Sequence, residues 1–221
     1  MASSSRRLLL VLATAFAFTA PALAFATDRV GAHDVTLGNP NAPITLVEYA
    51  SVTCPHCAKF NATIFPTLKA RYIDTGKLLY VFREVPIHEQ EDAAGFLIAR
   101  CAGPDRYLAV TDALFRAQPI LFDKHNLHDF LMAGARAGGL SEADMRTCIS
   151  DAPALEAFNA RAEHTMTVDK IDSTPTVIIN GKMVTAAGPE MALSDVEAVI
   201  RPLLGATSPA GHRPARRKPV H

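Results

Sequence analysis

The sequence predicts an α/β fold in which a helical block is inserted between a βαβ half and a ββα half. Two runs rich in apolar and β-branched residues, 44–49 and 77–85, flank one helical segment. An Asn180-Gly181 pair, the strongest short-range signal for a β-hairpin, stands between two later apolar runs. Residues 89–168 have helical periodicity interrupted by Pro and Gly, which places the helical block between the two halves.

The first half, residues 44–88, follows a turn-rich lead-in at 27–43. Its elements in chain order are a buried strand, a loop, a helix, a turn and a second strand, at 44–49, 50–53, 54 to about 72, 74–76 and 77–85. Pro55 suits the first turn of the helix, where its missing N–H does no harm, and Pro66 predicts a kink. A helix that joins two strands within about forty residues makes those strands parallel.

The inserted block, residues 89–168, is predicted to be helical throughout. Its candidate helices cover 89–101, 105–118, 127–137, 141–150 and 152–168. Ser141 and Asp144 have the spacing of a capping box at the start of one of them. The second half, residues 169–204, supplies two strands and a final helix, at 176–179, 182–184 and about 190–204.

The composition limits the class of protein. The 221 residues are 49% hydrophobic and carry no net charge. These values suit one domain with a substantial core, and they give no sign of a nucleic-acid partner.

The N-terminus has the three parts of a secretory signal peptide, predicted at residues 1–26. Two arginines precede an apolar run at about 8–20, and small residues follow it. The Ala-x-Ala rule places the cleavage after Ala24 or Ala26. A membrane anchor is the alternative, but about thirteen apolar residues fall short of the ~20 that a spanning helix needs. We therefore expect an exported protein.

The C-terminal segment, residues 205–221, is predicted to be a disordered basic tail. It has four basic residues and no acidic one, at Arg213, Arg216, Arg217 and Lys218. Contact with anionic lipid or with a partner is the alternative to a solvated tail.

Cys54 and Cys57 form a C-x-x-C motif beside the predicted βαβ unit, the pattern of a thioredoxin-like redox pair. Cys54 stands at the helix N-terminus, where free N–H groups and the helix dipole favour the thiolate, which is the reactive species. Cys57, deeper in the helix, is predicted to be the shielded, resolving thiol. An imidazolium at His56 would stabilise the Cys54 thiolate further, and a stabilised thiolate makes the disulfide a stronger oxidant.

Two other interpretations of the motif are open, a purely structural disulfide and half of a zinc site. A zinc site with this spacing needs two further ligands. The other two cysteines do not repeat the motif, and the remaining histidines, such as His88, His125 and His128, show no paired pattern. We therefore expect a redox pair without a metal or a diffusible cofactor.

The segment from Glu48 to Cys57, EYASVTCPHC, resembles the active-site segment of DsbA-type proteins of the thioredoxin superfamily. The Pro55-His56 pair between the cysteines is the DsbA-like choice, and the resemblance extends over about 34–204. It implies a thioredoxin fold with a helical insertion, in a periplasmic thiol–disulfide oxidoreductase that introduces disulfide bonds into exported proteins. It also implies reduced or misfolded protein substrates and a DsbB-like membrane partner that reoxidises the pair. We expect a monomer.

The resemblance assigns roles to positions around the motif. Pro175 takes the place of the cis-proline that faces the cysteines, and a cis bond there would expose Thr174 for β-pairing with a substrate, with Pro55 at the same surface. Glu48 takes the place of a buried acid that moves a proton to or from the buried thiol. A plain turn at Pro175 and a solvent-facing Glu48 are the alternatives.

Cys101 and Cys148 both fall in the inserted block. In an oxidising compartment a second, structural disulfide is predicted, which would stabilise the block by a few kcal/mol. Two buried free thiols are the alternative. The resemblance does not decide between them, because DsbA-like proteins occur with and without a second pair.

Other functions compete with the oxidase prediction. Thr174 resembles the residue at this position in isomerase-type members, whereas the best-known oxidases carry Val, so an isomerase or reductase is the rival. The isomerases dimerise through an added N-terminal domain, and residues 27–43 are too few to form one. The candidate from another class is a binder without enzymatic activity. It would hold a metal through Cys54, Cys57 and His56, or unfolded chains in an apolar groove.

Overall fold

The computed structural model describes residues 30–206, which form a five-stranded mixed sheet and eight α-helices. The strands are β1 (Val35–Leu37), β2 (Ile44–Ala50), β3 (Leu78–Glu84), β4 (Thr176–Ile179) and β5 (Lys182–Met183). The helices are α1 (Pro55–Thr63), α2 (Phe65–Leu68), α3 (Glu89–Cys101), α4 (Pro104–Phe122), α5 (Leu127–Ala137), α6 (Glu142–Ile149), α7 (Ala152–Thr167) and α8 (Leu193–Ala206). The predicted α/β fold with a helical insertion is confirmed.

The sheet has the strand order β1-β3-β2-β4-β5, with β2 in the centre. Strand β2 runs parallel to β3 and antiparallel to β4, where Tyr49 is paired with Thr176. The end of β2 therefore lies beside the start of β4. This register brings the loop before Cys54 next to the turn that contains Pro175.

Strand β2 is buried on both faces, as its apolar sequence predicts. Side chains alternate along the strand, so Leu46 and Glu48 face one side of the sheet while Val47 and Tyr49 face the other. The inserted helices pack on the side that carries Glu48. An aromatic chain marks this contact, with Phe82 of β3 against Phe96 of α3, their ring centroids 6.1 Å apart.

Strand β1 was not predicted, because the lead-in at 27–43 shows mainly turn residues. Its three residues pair antiparallel with β3, with Val35 opposite Phe82. Only Val35 of the strand is fully buried. Three residues at a sheet edge are too few to give a periodic pattern, and the pairing with β3 is a tertiary contact.

The prediction of one continuous helix from the cysteine motif to about Tyr72 is wrong. Helix α1 ends at Thr63, Ile64 forms a turn, and α2 continues into a π-helical turn at Lys69–Ile73. Pro66 has no N–H to donate to the carbonyl of Ala62, so the series of helical hydrogen bonds is interrupted at Ile64, before the proline.

Two further boundaries differ from the prediction. Helix α4 extends from Pro104 to Phe122 and contains Pro119. Helix α8 begins at Leu193, later than predicted, and reaches Ala206, so the first two residues assigned to the basic tail are helical. The predicted signal peptide and the tail from residue 207 lie outside the described residues. Among residues 30–206, no helix combines the length and apolar character needed to span a bilayer.

Candidate active site

Cys54 is the N-cap residue of α1 and has an extended backbone, with Pro55 at the first helical position. Its thiol donates to the carbonyl of Thr174 across a 3.4 Å gap. Cys57 lies one turn further and is fully buried. Both thiols are free, so the structure shows the reduced form of the pair.

The two thiols have opposite electrostatic surroundings. Hydrogen bonding to Cys57, with smaller contributions from the Thr174 side chain and the backbone N–H groups of Cys57 and His56, lowers the pKa of Cys54 to about 5 against the opposing effect of burial. Burial raises the pKa of Cys57 well above its ordinary value, and the neighbouring Cys54 adds to this. Cys54 is therefore a thiolate at neutral pH while Cys57 keeps its proton.

The carboxyl of Glu48 is buried beneath the cysteines, only 2% exposed, so the alternative of a solvent-facing side chain is wrong. The hydroxyl of Tyr80, on the neighbouring strand β3, donates to its Oε2 atom at 2.7 Å. Burial raises the pKa of Glu48 to about 8, partly offset by this hydrogen bond. Glu48 is thus mainly protonated at neutral pH and can give or take a proton near pH 8.

His56 stands in the first turn of α1. Its imidazole is exposed, and Nδ1 lies 3.8 Å from Oε1 of Glu190, which also pairs with Lys59. The backbone N–H of His56 contributes to the lowered pKa of Cys54. The helix start supplies this part of the stabilisation. The further effect of an imidazolium at His56 stays a prediction.

The peptide bond between Thr174 and Pro175 is cis, as predicted. Both residues are half-buried and line a cleft of about 190 Å³ together with His56 and Glu190. On the other side of α1, Pro55 borders a second groove of about 540 Å³ whose wall includes Phe122. The thiol of Cys54 thus lies between two surfaces that an extended chain can contact.

Sequence reasoning missed Asp92 of α3, which holds the loop before Cys54. Its buried carboxylate accepts hydrogen bonds from the hydroxyl of Ser51 at 2.8 Å and from the hydroxyl of Thr53 at 2.9 Å. It also accepts from the backbone N–H groups of Ile87 and His88. A signal was present in the sequence, since helical spacing places Asp92 on the same apolar face as Phe96.

Gln118 of α4 is a second missed residue. Its side-chain amide donates to the carbonyls of Val52 and Cys54 at 2.9 and 3.0 Å. Gln118 is buried, three residues from the core residue Leu121. The inserted helices therefore contribute two buried polar side chains to the geometry of the cysteine loop.

Cys101 and Cys148 are joined by a disulfide in the structure, with their Cα atoms 6.0 Å apart. The bond links the last residue of α3 to α6. Within residues 30–206, no group of three or more His, Cys, Asp or Glu side chains is placed to hold a metal ion.

Comparison with known proteins identifies the family. The family model described as "Thioredoxin" matches residues 31–198, most of the chain. The chain belongs to the thioredoxin family. Within the thioredoxin family it is DsbA-like, because it is similar to the crystal structure of Wolbachia pipientis alpha-DsbA1. The TM-score is 0.70 with 28% identity, covering 80% of this chain and 94% of that one.

Two curated thioredoxin-family relatives have names that agree with this placement. A putative protein-disulfide oxidoreductase from Rickettsia bellii is 33% identical over 156 residues, which cover 70% of this chain and 60% of the relative. A Bacillus subtilis protein named disulfide bond formation protein D is 25% identical, covering 67% of this chain and 68% of its own. The chain spans less than two thirds of the length of the Rickettsia relatives that it matches.

Proposed function

We propose that the chain is a DsbA-like thiol–disulfide oxidoreductase that introduces disulfide bonds into exported proteins through Cys54 and Cys57. The observation that carries the proposal is the opposite displacement of the two thiol pKa values. A stabilised Cys54 thiolate stabilises the reduced enzyme, and this makes the Cys54–Cys57 disulfide a strong oxidant. A DsbA-like fold and relatives named for disulfide oxidoreduction support the same activity.

The reaction begins with the oxidised pair. A thiolate of the substrate attacks Sγ of Cys54, the Cys54–Cys57 bond breaks, and the electron pair stays on Cys57. A second substrate thiolate then attacks the substrate sulfur of the mixed disulfide and displaces Cys54. The substrate has lost two electrons and gained a disulfide, and the enzyme holds Cys54 as thiolate and Cys57 as thiol. The low pKa of Cys54 makes it the better leaving group in the second step.

Glu48 acts in this scheme as the proton donor to Cys57. The thiolate that leaves in the first step is buried and strongly basic, so it takes up a proton. Glu48 is mainly protonated at neutral pH and acts on Cys57 electrostatically from beneath the pair. Transfer from Glu48 leaves a neutral thiol that does not attack the mixed disulfide again.

Substrate binding is assigned to the surface around Cys54. The backbone of Thr174, which lines the cleft beside Cys54, pairs with an extended substrate segment as a short added strand. Pro55 borders the groove on the opposite side of Cys54. A backbone-based contact suits an enzyme with many client sequences, because main-chain hydrogen bonds do not depend on side chains.

The cellular setting follows from the same proposal. The predicted signal peptide leads to the periplasm, where reduced exported proteins are the substrates. Each turnover leaves the pair reduced, so an oxidant must restore it, and a DsbB-like membrane protein is the proposed partner. The enzyme works as a monomer in this proposal, with Cys101 and Cys148 as a structural disulfide.

The reduction potential of the Cys54–Cys57 pair in glutathione buffers tests the direction of the reaction. We expect a value nearer to the about −120 mV of DsbA than to the about −270 mV of thioredoxin. A value near that of thioredoxin would exclude the oxidase and leave a reductase.

An isomerase is the second candidate, and the half-buried Thr174 beside Cys54 favours it. If isomerisation is the main activity, the protein rescues scrambled, fully oxidised ribonuclease faster than it oxidises reduced ribonuclease. Thr174→Val then removes the rescue and keeps the oxidation. For the oxidase we expect the reverse order of rates, with little change in Thr174→Val.

A further inference from the structure

Glu48 needs a route by which protons reach it. Its carboxyl is 2% exposed beneath the cysteines. Each transfer to or from Cys57 changes its protonation, so the proton must be exchanged with solvent before the next turnover. The hydroxyl of Tyr80 donates to Oε2 of Glu48 at 2.7 Å. Tyr80 itself is only 3% exposed, so the route has to continue beyond it.

A small cavity continues the route. Tyr80 lines a space of about 50 Å³, which exceeds the roughly 10–15 Å³ that a water molecule requires. Asn61 of α1 and Asp112 of α4 also line it, and the Asn61 amide donates to Asp112 at 2.8 Å. Asp112 is 33% exposed and pairs with Arg116 at the protein surface. The cavity therefore joins the buried side chain of Tyr80 to a polar, partly solvated edge.

We infer that Tyr80 relays protons between Glu48 and water in this cavity. This role rests on the proposed function and extends it from the cysteines to the surface. After Glu48 has given its proton to Cys57, the hydroxyl proton of Tyr80 passes to Oε2 of Glu48 in the same step in which a cavity water gives a proton to the Tyr80 oxygen. Bulk solvent then returns a proton to that water. A hydroxyl both donates and accepts, so the same path runs in reverse.

The surroundings of the two groups support a relay rather than a charged intermediate. Two titratable groups change the pKa of Glu48: the charge on Cys54 raises it, and the hydrogen bond from Tyr80 lowers it. Glu48 in turn raises the pKa of Cys57. Burial and the neighbouring Glu48, Cys57 and Tyr107 raise the pKa of Tyr80 well above its usual range. Tyr80 therefore remains a neutral hydroxyl throughout turnover and passes protons without being ionised.

The test uses the reduced protein and a pyridyl disulfide of glutathione. Attack by the Cys54 thiolate releases thiopyridone, which is the first phase and does not involve Glu48. Cys57 then displaces glutathione, which is the second phase. The Cys57 proton leaves to Glu48, and Glu48 must first give up its own proton through Tyr80 because it is mainly protonated at pH 7. Release of thiopyridone reports the first phase by absorbance. Acid quenching and mass spectrometry report loss of the glutathione adduct in the second.

We expect Tyr80→Phe to slow the second phase at pH 7 by about tenfold or more and to leave the first phase unchanged. This is below the 10²–10⁴ that a positioned proton transfer contributes, because water partly replaces the lost hydroxyl. Tyr107→Phe is the matched control, since Tyr107 is equally buried but donates to Glu84. It should leave both phases unchanged. In a Glu48→Gln background, Tyr80→Phe should add no further slowing.

An unchanged second phase in Tyr80→Phe, with Glu48→Gln slow, would overturn the relay and leave the proposed function intact. Additive slowing in the double variant would also overturn it, because Tyr80 would then act independently of Glu48. If Glu48→Gln itself has no effect, the role of Glu48 in the proposed function fails as well. Should Tyr80→Phe not fold, Asn61→Leu decides. It fills the cavity from α1 and leaves Tyr80 and Glu48 in place, and a second phase at the wild-type rate overturns the relay.

Discussion

Cys54 and Cys101 stand at opposite ends of helices. Cys54 caps the N-terminus of α1, where backbone N–H groups help to lower its pKa to about 5. Cys101 is the last residue of α3 and is bonded to Cys148 of α6. A helix C-terminus presents carbonyl oxygens and the negative end of the dipole, which disfavour a thiolate. Position on the helix thus separates a cysteine suited to exchange from one suited to a lasting crosslink.

The surroundings of the two cysteine pairs also suit the first to exchange and the second to a lasting crosslink. The Cys54–Cys57 pair has a buried acid below it, a cis-proline opposite and grooves on either side. The Cys101–Cys148 pair closes a 47-residue separation within the inserted helices. Reducing the first pair releases a stabilised thiolate, whereas reducing the second gives up a crosslink.

Removal of the Cys54 thiol should have the largest effect. We expect Cys54→Ser to lower the rate of oxidative refolding of a reduced substrate by at least about 10³-fold, since a nucleophile that forms the covalent intermediate cannot be replaced by its neighbours. Cys101→Ala/Cys148→Ala should retain the wild-type rate within about threefold. Retained activity in Cys54→Ser would reject the redox mechanism and favour a binder of unfolded chains.

The next prediction concerns the dependence of stability on pH in the two redox forms. In the reduced protein, the folded pKa of Cys54, about 5, lies below its ordinary value of 9.0. Its contribution to stability is therefore present above the unfolded value and lost as the pH falls through 5. In the oxidised protein Cys54 does not titrate. We expect the reduced form to gain stability over the oxidised form by roughly 1 kcal/mol per pH unit from about pH 5.5 to 8, a little below the ~1.4 of a full shift.

Glu48 provides the internal control for this experiment. Its folded pKa of about 8 lies above the ordinary 4.5, so its contribution is complete below 4.5 and is lost as the pH rises through 8. It titrates in both forms, and burial, the largest cause of its raised pKa, is common to both, so most of its contribution cancels in the difference. The remainder comes from the Cys54 thiolate, which raises the Glu48 pKa in the reduced form alone. Urea unfolding of both forms at several pH values, with the second disulfide kept intact, gives the measurement. A difference that does not change with pH would contradict the low pKa of Cys54.

Much of this contrast could be predicted from the sequence, but the buried polar residues that hold the cysteine loop could not. Cys54, Cys57 and Pro175 were placed by the C-x-x-C spacing, the strand order and the resemblance, and the resemblance also implied that Glu48 is buried. Asp92 and Gln118 could not be assigned, because a polar residue on an apolar helix face shows no partner until the helices are packed. The contact of His56 with Glu190 could not be predicted for a related reason, since the direction of an exposed side chain depends on a neighbour that is distant in the sequence.

The second disulfide should act on stability rather than on catalysis. Replacing both Cys101 and Cys148 by Ala should lower the free energy of unfolding by about 2–4 kcal/mol, because a crosslink across a long loop limits the unfolded chain. Urea unfolding of the oxidised proteins measures the change. The thiolate titration of Cys54, followed by absorbance at about 240 nm, is the control and should keep its midpoint near pH 5. A displaced midpoint would show that the second pair tunes the first.

The smallest effect is expected where the two regions meet, at Asp92. Its carboxylate is surrounded by hydrogen-bond donors, among them the hydroxyls of Ser51 and Thr53 and the N–H of His88. Asp92→Asn replaces one acceptor oxygen by an NH₂ group among those donors and so weakens the buried network, at a cost of about 1–3 kcal/mol. Asp105→Asn is the matched control, since Asp105 also occupies the first turn of a helix but is exposed.

The same variant separates two roles of the inserted block. If α3 only stabilises the fold, Asp92→Asn lowers the free energy of unfolding in both redox forms equally. If α3 also sets the geometry of the cysteine loop, the loss is larger in the reduced form. Asp92 fixes Thr53, the residue before Cys54, and thereby the N–H groups at the start of α1 that stabilise the thiolate. We expect the larger loss in the reduced form, with the Cys54 titration midpoint moved upward. Equal losses would assign the thiolate stabilisation to α1 and Thr174 alone.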